Sequence, residues 1–231
     1  KKNNALVSKH DNQRVFLFLT GTSIKKIDLR KFSKEFVFGA NLIAYHNSFE
    51  DLQANYYAIP APCNPRIARL IDFHLLIISN KLGNNCKLFL HGSTKSWIDN
   101  SDRFNKDSIF YTLSDEFVKD SKIPPFCGVD ASFKGSFTFS VGACVEMGFK
   151  EIYLVGADYA KSPLVVGHFY DGEEEINPYP KEVVNQLQKN HSEIKKFCEQ
   201  NGVKLFNVVE QGFESPIFDS IDIQEVYSLI Q

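Results

Sequence analysis

A chain of 231 residues with 43% hydrophobic content can bury well over half of its unfolded surface in one core, so it needs no disulfide or metal staple to fold. Lysine plus arginine (26) nearly balances aspartate plus glutamate (28), which gives no broad attraction to phosphate backbones and sets nucleic acid aside as a partner. The five cysteines, Cys63, Cys86, Cys127, Cys144 and Cys198, are widely spaced and form no CxxC or Cys/His ligand pattern, so they read as reduced thiols of a cytosolic protein.

The start, KKNNALVSKHDNQ, lacks an apolar h-region, so no signal peptide is expected, and residues 1–13 read as a loose N-terminal segment. The first residue is lysine, which allows for a domain cut from a longer protein. No stretch reaches the ~18 uninterrupted apolar residues of a membrane span. Val15 to Leu19 is the first of several short apolar runs rich in β-branched and aromatic residues, the pattern of strands buried on both faces. It runs into Thr20, Gly21, Thr22 and Ser23 and then a short helical stretch, IKKIDLRKF. Phe36 to Phe38 and Tyr56 to Ile59 are the next strands, and Pro65 to Leu82 carries an i, i+3, i+4 apolar stripe that predicts a helix. Lys87 to Leu90 and Ser108 to Tyr111 read as further strands, although the polar region 93–125 as a whole predicts an irregular insertion or lid.

Phe137 to Met147 is apolar nearly all round and predicts a buried helix closed by Gly148. Ile152 to Val155 is a strand that ends in Gly156, Ala157, Asp158 and Tyr159. Residues 160–180 are aperiodic and rich in proline and glycine, which predicts a functional loop. Lys181 to Asn201 is an amphipathic helix closed by Gly202, and Lys204 to Phe206 the last predicted strand. Strands alternating with helices imply an α/β fold, a single Rossmann-like domain over 1–231 with an open, mostly parallel, doubly wound sheet and helices on both faces.

Three segments could carry chemistry. The small-residue turn Thr20–Ser23 joins a strand to a helix, where backbone N–H groups can meet an anion; the alternative is an ordinary βα turn capped by Ser23. Gly156, Asp158 and Tyr159 follow a strand whose carboxyl end faces the ligand crevice of an open α/β sheet, unless Asp158 only caps a turn and Tyr159 only packs. The loop segment GHFYD offers His168 as a general base, with Tyr170 beside it; the bland reading is an exposed or structural histidine. His74 and His191 fall within helical patterns and read as surface or packing residues. The run Glu173 to Glu175 lacks metal-ligand spacing, so no metal site is expected, and neither a GxSxG elbow nor an activated cysteine suggests a nucleophile.

Taken in order, FLFLTGTSIKKID, FVFGANLI, GSFTFSVGACVEMGFKEIYLVGADY, the HFYD loop and GVKLFNV resemble bacterial sialyltransferases of glycosyltransferase family 42. They are also similar to the related domain-of-unknown-function 115 proteins, which include a pterin pyrophosphokinase branch. The resemblance spans Val15 to about Phe218. It implies a metal-independent, inverting transferase without a cofactor, taking a CMP-activated sialic acid or another 2-keto acid sugar to an oligosaccharide or glycolipid acceptor. Thr20, Gly21, Thr22, Ser23 and Asn41 would bind the donor, with Ser136 near its carboxylate and Asn64 where a donor-binding asparagine or aspartate is expected. Lys134 stands in place of an arginine, Tyr153 and Tyr159 would steady the departing phosphate, and His168 would be the base. The resemblance leaves room for a homo-oligomer and for peripheral contact with the inner face of the membrane through regions outside this chain. Pterin diphosphate transfer and a non-catalytic nucleotide- or glycan-binding module are the alternatives.

Overall fold

The structure, a computed structural model, describes residues 2–60, 68–112, 135–162, 164–172 and 180–230. Eight strands form one sheet: β1 (Arg14–Phe18), β2 (Val37–Ala40), β3 (Tyr56–Ile59), β4 (Lys87–His91), β5 (Ile109–Thr112), β6 (Glu151–Val155), β7 (Lys204–Val209) and β8 (Asp219–Asp222). Their spatial order is β5-β4-β3-β2-β1-β6-β7-β8, and every pairing is parallel. The chain builds outward from β1 on one side, returns past it and builds outward on the other. β1 and β6 therefore meet where the strand order reverses, the place at which open α/β sheets leave a crevice at their carboxyl edge.

The side-chain alternation of β1 shows why the sheet is covered twice. Phe16 and Phe18 enter one apolar cluster with Ile24, Phe32 and Tyr57, while Val15, Leu17 and Leu19 enter the other. The first face is closed by α1 (Ala68–Lys81), α2 (Lys95–Asp99) and α5 (Ile223–Leu229), through residues such as Leu75, Ile78, Ile98 and Val226. The second is closed by α3 (Ser136–Glu146) and α4 (Lys181–Gln200). α3 buries nearly its whole circumference, as its sequence predicts, whereas α4 buries only the stripe His191, Ile194 and Cys198. Each large side chain so buried contributes roughly 1.5–3 kcal/mol. At the amino edge Arg14 forks onto Glu35 with two hydrogen bonds of 2.9 and 2.8 Å.

Several expectations are corrected. Residues 2–13 are docked rather than loose: Leu6 is buried, the His10 ring stacks on Phe149 at 4.4 Å, and its Nε2 lies 2.6 Å from the Tyr56 hydroxyl. Residues 93–112 are not an insertion, because they carry α2 and the outermost strand β5; residues 113–134 lie outside the described residues. The stretch after the first turn forms two short 3₁₀ helices, Thr22–Lys26 and Leu29–Phe32, rather than one α-helix. Strand β8 and helix α5 have no counterpart in the predicted elements. Among the described residues no helix is long and apolar enough to cross a membrane. Cys86, Cys144 and Cys198 are buried free thiols, and burial pushes Cys86 and Cys198 up to about 12.

Candidate functional site

β1 and β6 lie in register, Phe18 opposite Val155, and the chain leaves both strands through closely opposed turns. The Gly21 N–H donates to the Gly156 carbonyl at 2.9 Å. A Cβ on Gly21 would stand 2.5 Å from both Asp158 Cγ and the Gly156 carbonyl oxygen; one on Gly156, whose φ is +77°, would stand 2.6 Å from Ile24 Cγ1. Both glycines are thus required for one turn to touch the other.

Asp158 locks that contact. Its Oδ2 accepts from the Ser23 N–H at 2.7 Å and from Thr22 Oγ1 at 3.1 Å, and its Oδ1 accepts from Ser23 Oγ at 2.6 Å. Lys161 Nζ pairs with Asp158 Oδ1 at 2.7 Å and with Glu210 Oε2, just beyond β7, at 2.6 Å. Asp158 is 1% exposed and Lys161 3%, so each charge depends on the other for compensation. Burial alone would push the Asp158 carboxyl up, but the Lys161 ammonium and the Ser23 donors outweigh it and hold the group below its ordinary range. Asp158 is therefore a latch inside the protein, its oxygens already engaged, and not the open donor-binding group expected from sequence. Lys161 and Glu210 are absent from the predicted site; the i, i+3 spacing of Asp158 and Lys161 in DYAK was the only signal for the first, and Glu210 had none.

Across the first turn lies His168. Its segment joins the turn as an isolated antiparallel bridge, Gly21 to His168, and the Phe169 N–H donates to the Thr20 carbonyl at 2.9 Å. The Thr20 hydroxyl meets His168 Nδ1 at 2.8 Å. The His168 N–H donates to Asp171 Oδ2 at 2.6 Å, and the Asp171 N–H returns a bond to the His168 carbonyl at 3.0 Å, which closes the loop around the histidine. The Tyr170 ring stacks on the imidazole with centroids 5.0 Å apart and planes inclined by 17°. Tyr170 also meets Tyr45, which in turn touches Phe73 and His74. Tyr170 and Phe73 remain 39% and 52% exposed, and the buried Tyr45 hydroxyl has no hydrogen-bond partner among the described residues.

Asn41, the residue after β2, sits at the same carboxyl edge with φ +56°, a left-handed conformation that asparagine tolerates better than most side chains; its carbonyl accepts from the Tyr57 hydroxyl. Ser136 is the first residue of α3, whose amino end points to this edge and has no side-chain cap among the described residues. The next residue, Phe137, packs edge-on against Tyr159, and both contact the buried His191, so Ser136 and Tyr159 lie on the face of the sheet opposite His168.

Tyr153 is not at the edge. It lies in mid-strand, stacked between Phe16 and Phe206, and its hydroxyl bonds Glu151 Oε2 at 3.2 Å at the amino end of β6; burial and Glu151 push the phenol up to about 12. The expectation that it steadies a departing phosphate is corrected on that ground: it is a core residue. Asn64 and Lys134 lie outside the described residues. Among the described residues no group of three or more His, Cys, Asp or Glu side chains is gathered as a metal site would require. What meets here is one imidazole, whose Nε2 has no partner among the described residues, and a turn held by buried charge, with the amino end of α3 on the other face of the sheet.

The fold is similar to that of the Maf glycosyltransferase from Magnetospirillum magneticum AMB-1, with a TM-score of 0.59 and 12% identity over 97% of this chain and 38% of that one. The sialyltransferase CstII from Campylobacter jejuni, solved with cytidine-5'-monophosphate, aligns with a TM-score of 0.48 and 17% identity over 85% of this chain and 80% of that one. The chain spans well under half the length of the Maf protein, and the likeness is one of fold. No family model and no curated protein sequence matches the chain.

Proposed function

We propose that this chain transfers a sugar from a nucleotide-activated donor, in the first place a CMP-activated sialic acid or related 2-keto acid sugar, to a hydroxyl of a glycan acceptor. The observation that carries the reading is the docking of His168 onto the turn after β1, 2.8 Å from Thr20, at the reversal of strand order where α/β sheets take their ligands. A glycosyltransferase of the same fold adds support.

His168 Nε2 takes the proton of the acceptor hydroxyl as its oxygen attacks the anomeric carbon. The bond from that carbon to the phosphate oxygen breaks on the opposite side, its electron pair leaves with the cytidine monophosphate, and the configuration inverts. In this reading the growing negative charge is met by hydroxyl and backbone donors at the sheet edge, the Ser136 hydroxyl at the start of α3 among them. Preorganised donors of this kind contribute ~2.7–4 kcal/mol each. The turn Gly21–Ser23 takes less of this role than its composition suggests, because the Gly21 and Ser23 N–H groups already serve Gly156 and Asp158.

The test is a thermal-shift panel of CMP, CDP, UDP, GDP and ATP, each with EDTA or with Mg²⁺. A ligand that binds only the native chain stabilises it by about 2.7 kcal/mol at a hundred times its Kd. A shift with CMP in EDTA is expected. A response confined to ATP with Mg²⁺ would replace the reading with diphosphate transfer, and CMP binding without turnover of a CMP-activated sugar would leave a binding module.

A further inference from the structure

The resemblance implies that the turn Thr20–Ser23 binds the donor, yet in the fold the Thr20 hydroxyl is turned to the imidazole. We infer that Thr20 is the positioning residue of the His168 base: it engages Nδ1 so that Nε2 alone is offered to the acceptor. The inference rests on the reading of His168 as general base.

Four contacts fix the histidine, and none of them among the described residues engages Nε2. Thr20 Oγ1 meets Nδ1 at 2.8 Å, the backbone is tied to the first turn through Phe169 N–H and Thr20 O at 2.9 Å, Asp171 Oδ2 accepts from the His168 N–H at 2.6 Å, and Tyr170 covers one face of the ring. The Asp171 carboxylate therefore acts on the backbone, and the ring's own partner is a neutral hydroxyl. A β-branched side chain confines χ1, so Thr20 presents Oγ1 with little rotamer freedom to lose. For Nε2 to act as the base the ring hydrogen sits on Nδ1, and the Thr20 hydroxyl accepts it both before and after the proton transfer. When Nε2 takes the acceptor's proton, Nδ1 carries its own hydrogen and donates it to Oγ1, and no heavy atom has to move. A hydroxyl partner of this kind orients the imidazole as the carboxylate does in a Ser-His-Asp triad, without adding a charge beside the anionic donor.

The experiment compares Thr20→Val, which keeps the shape and removes the hydroxyl, with Thr20→Ser, which restores it. Each is read by the ¹⁵N signals of the His168 ring, by the Kd for CMP, and by kcat and KM for CMP-activated sialic acid. The expected result is that Thr20→Val moves the His168 Nδ1 signal, lowers kcat roughly tenfold, and leaves the Kd for CMP within about twofold, while Thr20→Ser stays near the parent in all three. A Thr20→Val chain whose His168 signals do not move and whose Kd for CMP rises tenfold overturns the inference in favour of a phosphate contact. If Thr20→Val fails to fold, Thr20→Ala is read in the same way. Failure of the parent to bind CMP would count against the transferase reading alone, since the ring signals report the Thr20 pairing without any sugar.

Discussion

The two sides of the first turn use polar groups in opposite ways. Toward β6, the Asp158 oxygens accept from Ser23 and Thr22 and pair with Lys161, which Glu210 also holds; all of this is internal. Toward the 164–172 segment, His168 has its Nδ1 and backbone fixed, while its Nε2 has no partner among the described residues and lies beside exposed aromatic rings. The first side is the more charged and the less available. Chemistry at the edge of a sheet belongs to the groups that the fold leaves unengaged, and the engaged charges serve to hold those groups still.

Removing one partner of the latch should have the largest effect. Lys161→Met leaves the Asp158 carboxylate buried without its counter-charge and should cost about 3–5 kcal/mol in chemical denaturation, with loss of CMP binding following from a displaced turn. On the other side His168→Gln should lower turnover about 10²–10⁴-fold, while stability falls by no more than roughly 1.5 kcal/mol. An equal loss of stability from the two substitutions would erase the contrast between the sides.

His191 sharpens the contrast through pH. It is 2% exposed among Tyr159, Phe137 and Phe218, and burial pushes its pKa down to about 4. The folded chain then binds a proton less readily than the unfolded chain. The stability this neutral ring allows is complete above the unfolded value near 6.5 and falls as pH drops toward 4, by on the order of 3 kcal/mol. His191→Phe should remove that part of the slope in denaturation curves recorded between those limits. The smallest effect is expected at the exposed ring: Tyr170→Ala removes the stack on His168 and should cost about 0.5–1.5 kcal/mol in thermal unfolding, with a fall in kcat rather than a rise in the Kd for CMP.

The sheet was largely legible from sequence because β1, β3, β4 and β6 are buried on both faces and so read as unbroken apolar runs. The same rule hides β8: DSID is an outer strand, half or fully exposed, and has no apolar run to find. Residues 2–13 looked loose because what holds them, His10 against Tyr56 and Phe149, is entirely long-range. At the site, the turn, His168 and the strand end at Gly156 came from local pattern and resemblance. Which way a side chain turns did not: Asp158 faces inward to Lys161, Thr20 faces the imidazole, and the Tyr153 hydroxyl reaches the amino end of its strand, although all three belong to segments singled out from sequence.

The most direct test is an NMR titration of the ¹⁵N-labelled chain with CMP in EDTA, following backbone amides and the histidine rings. The reading predicts shifts at Thr20, Thr22, Ser136 and the His168 ring, with His10 and Arg14 at the amino edge unmoved. Saturable shifts confined to the amino edge, or none at millimolar CMP, would contradict it.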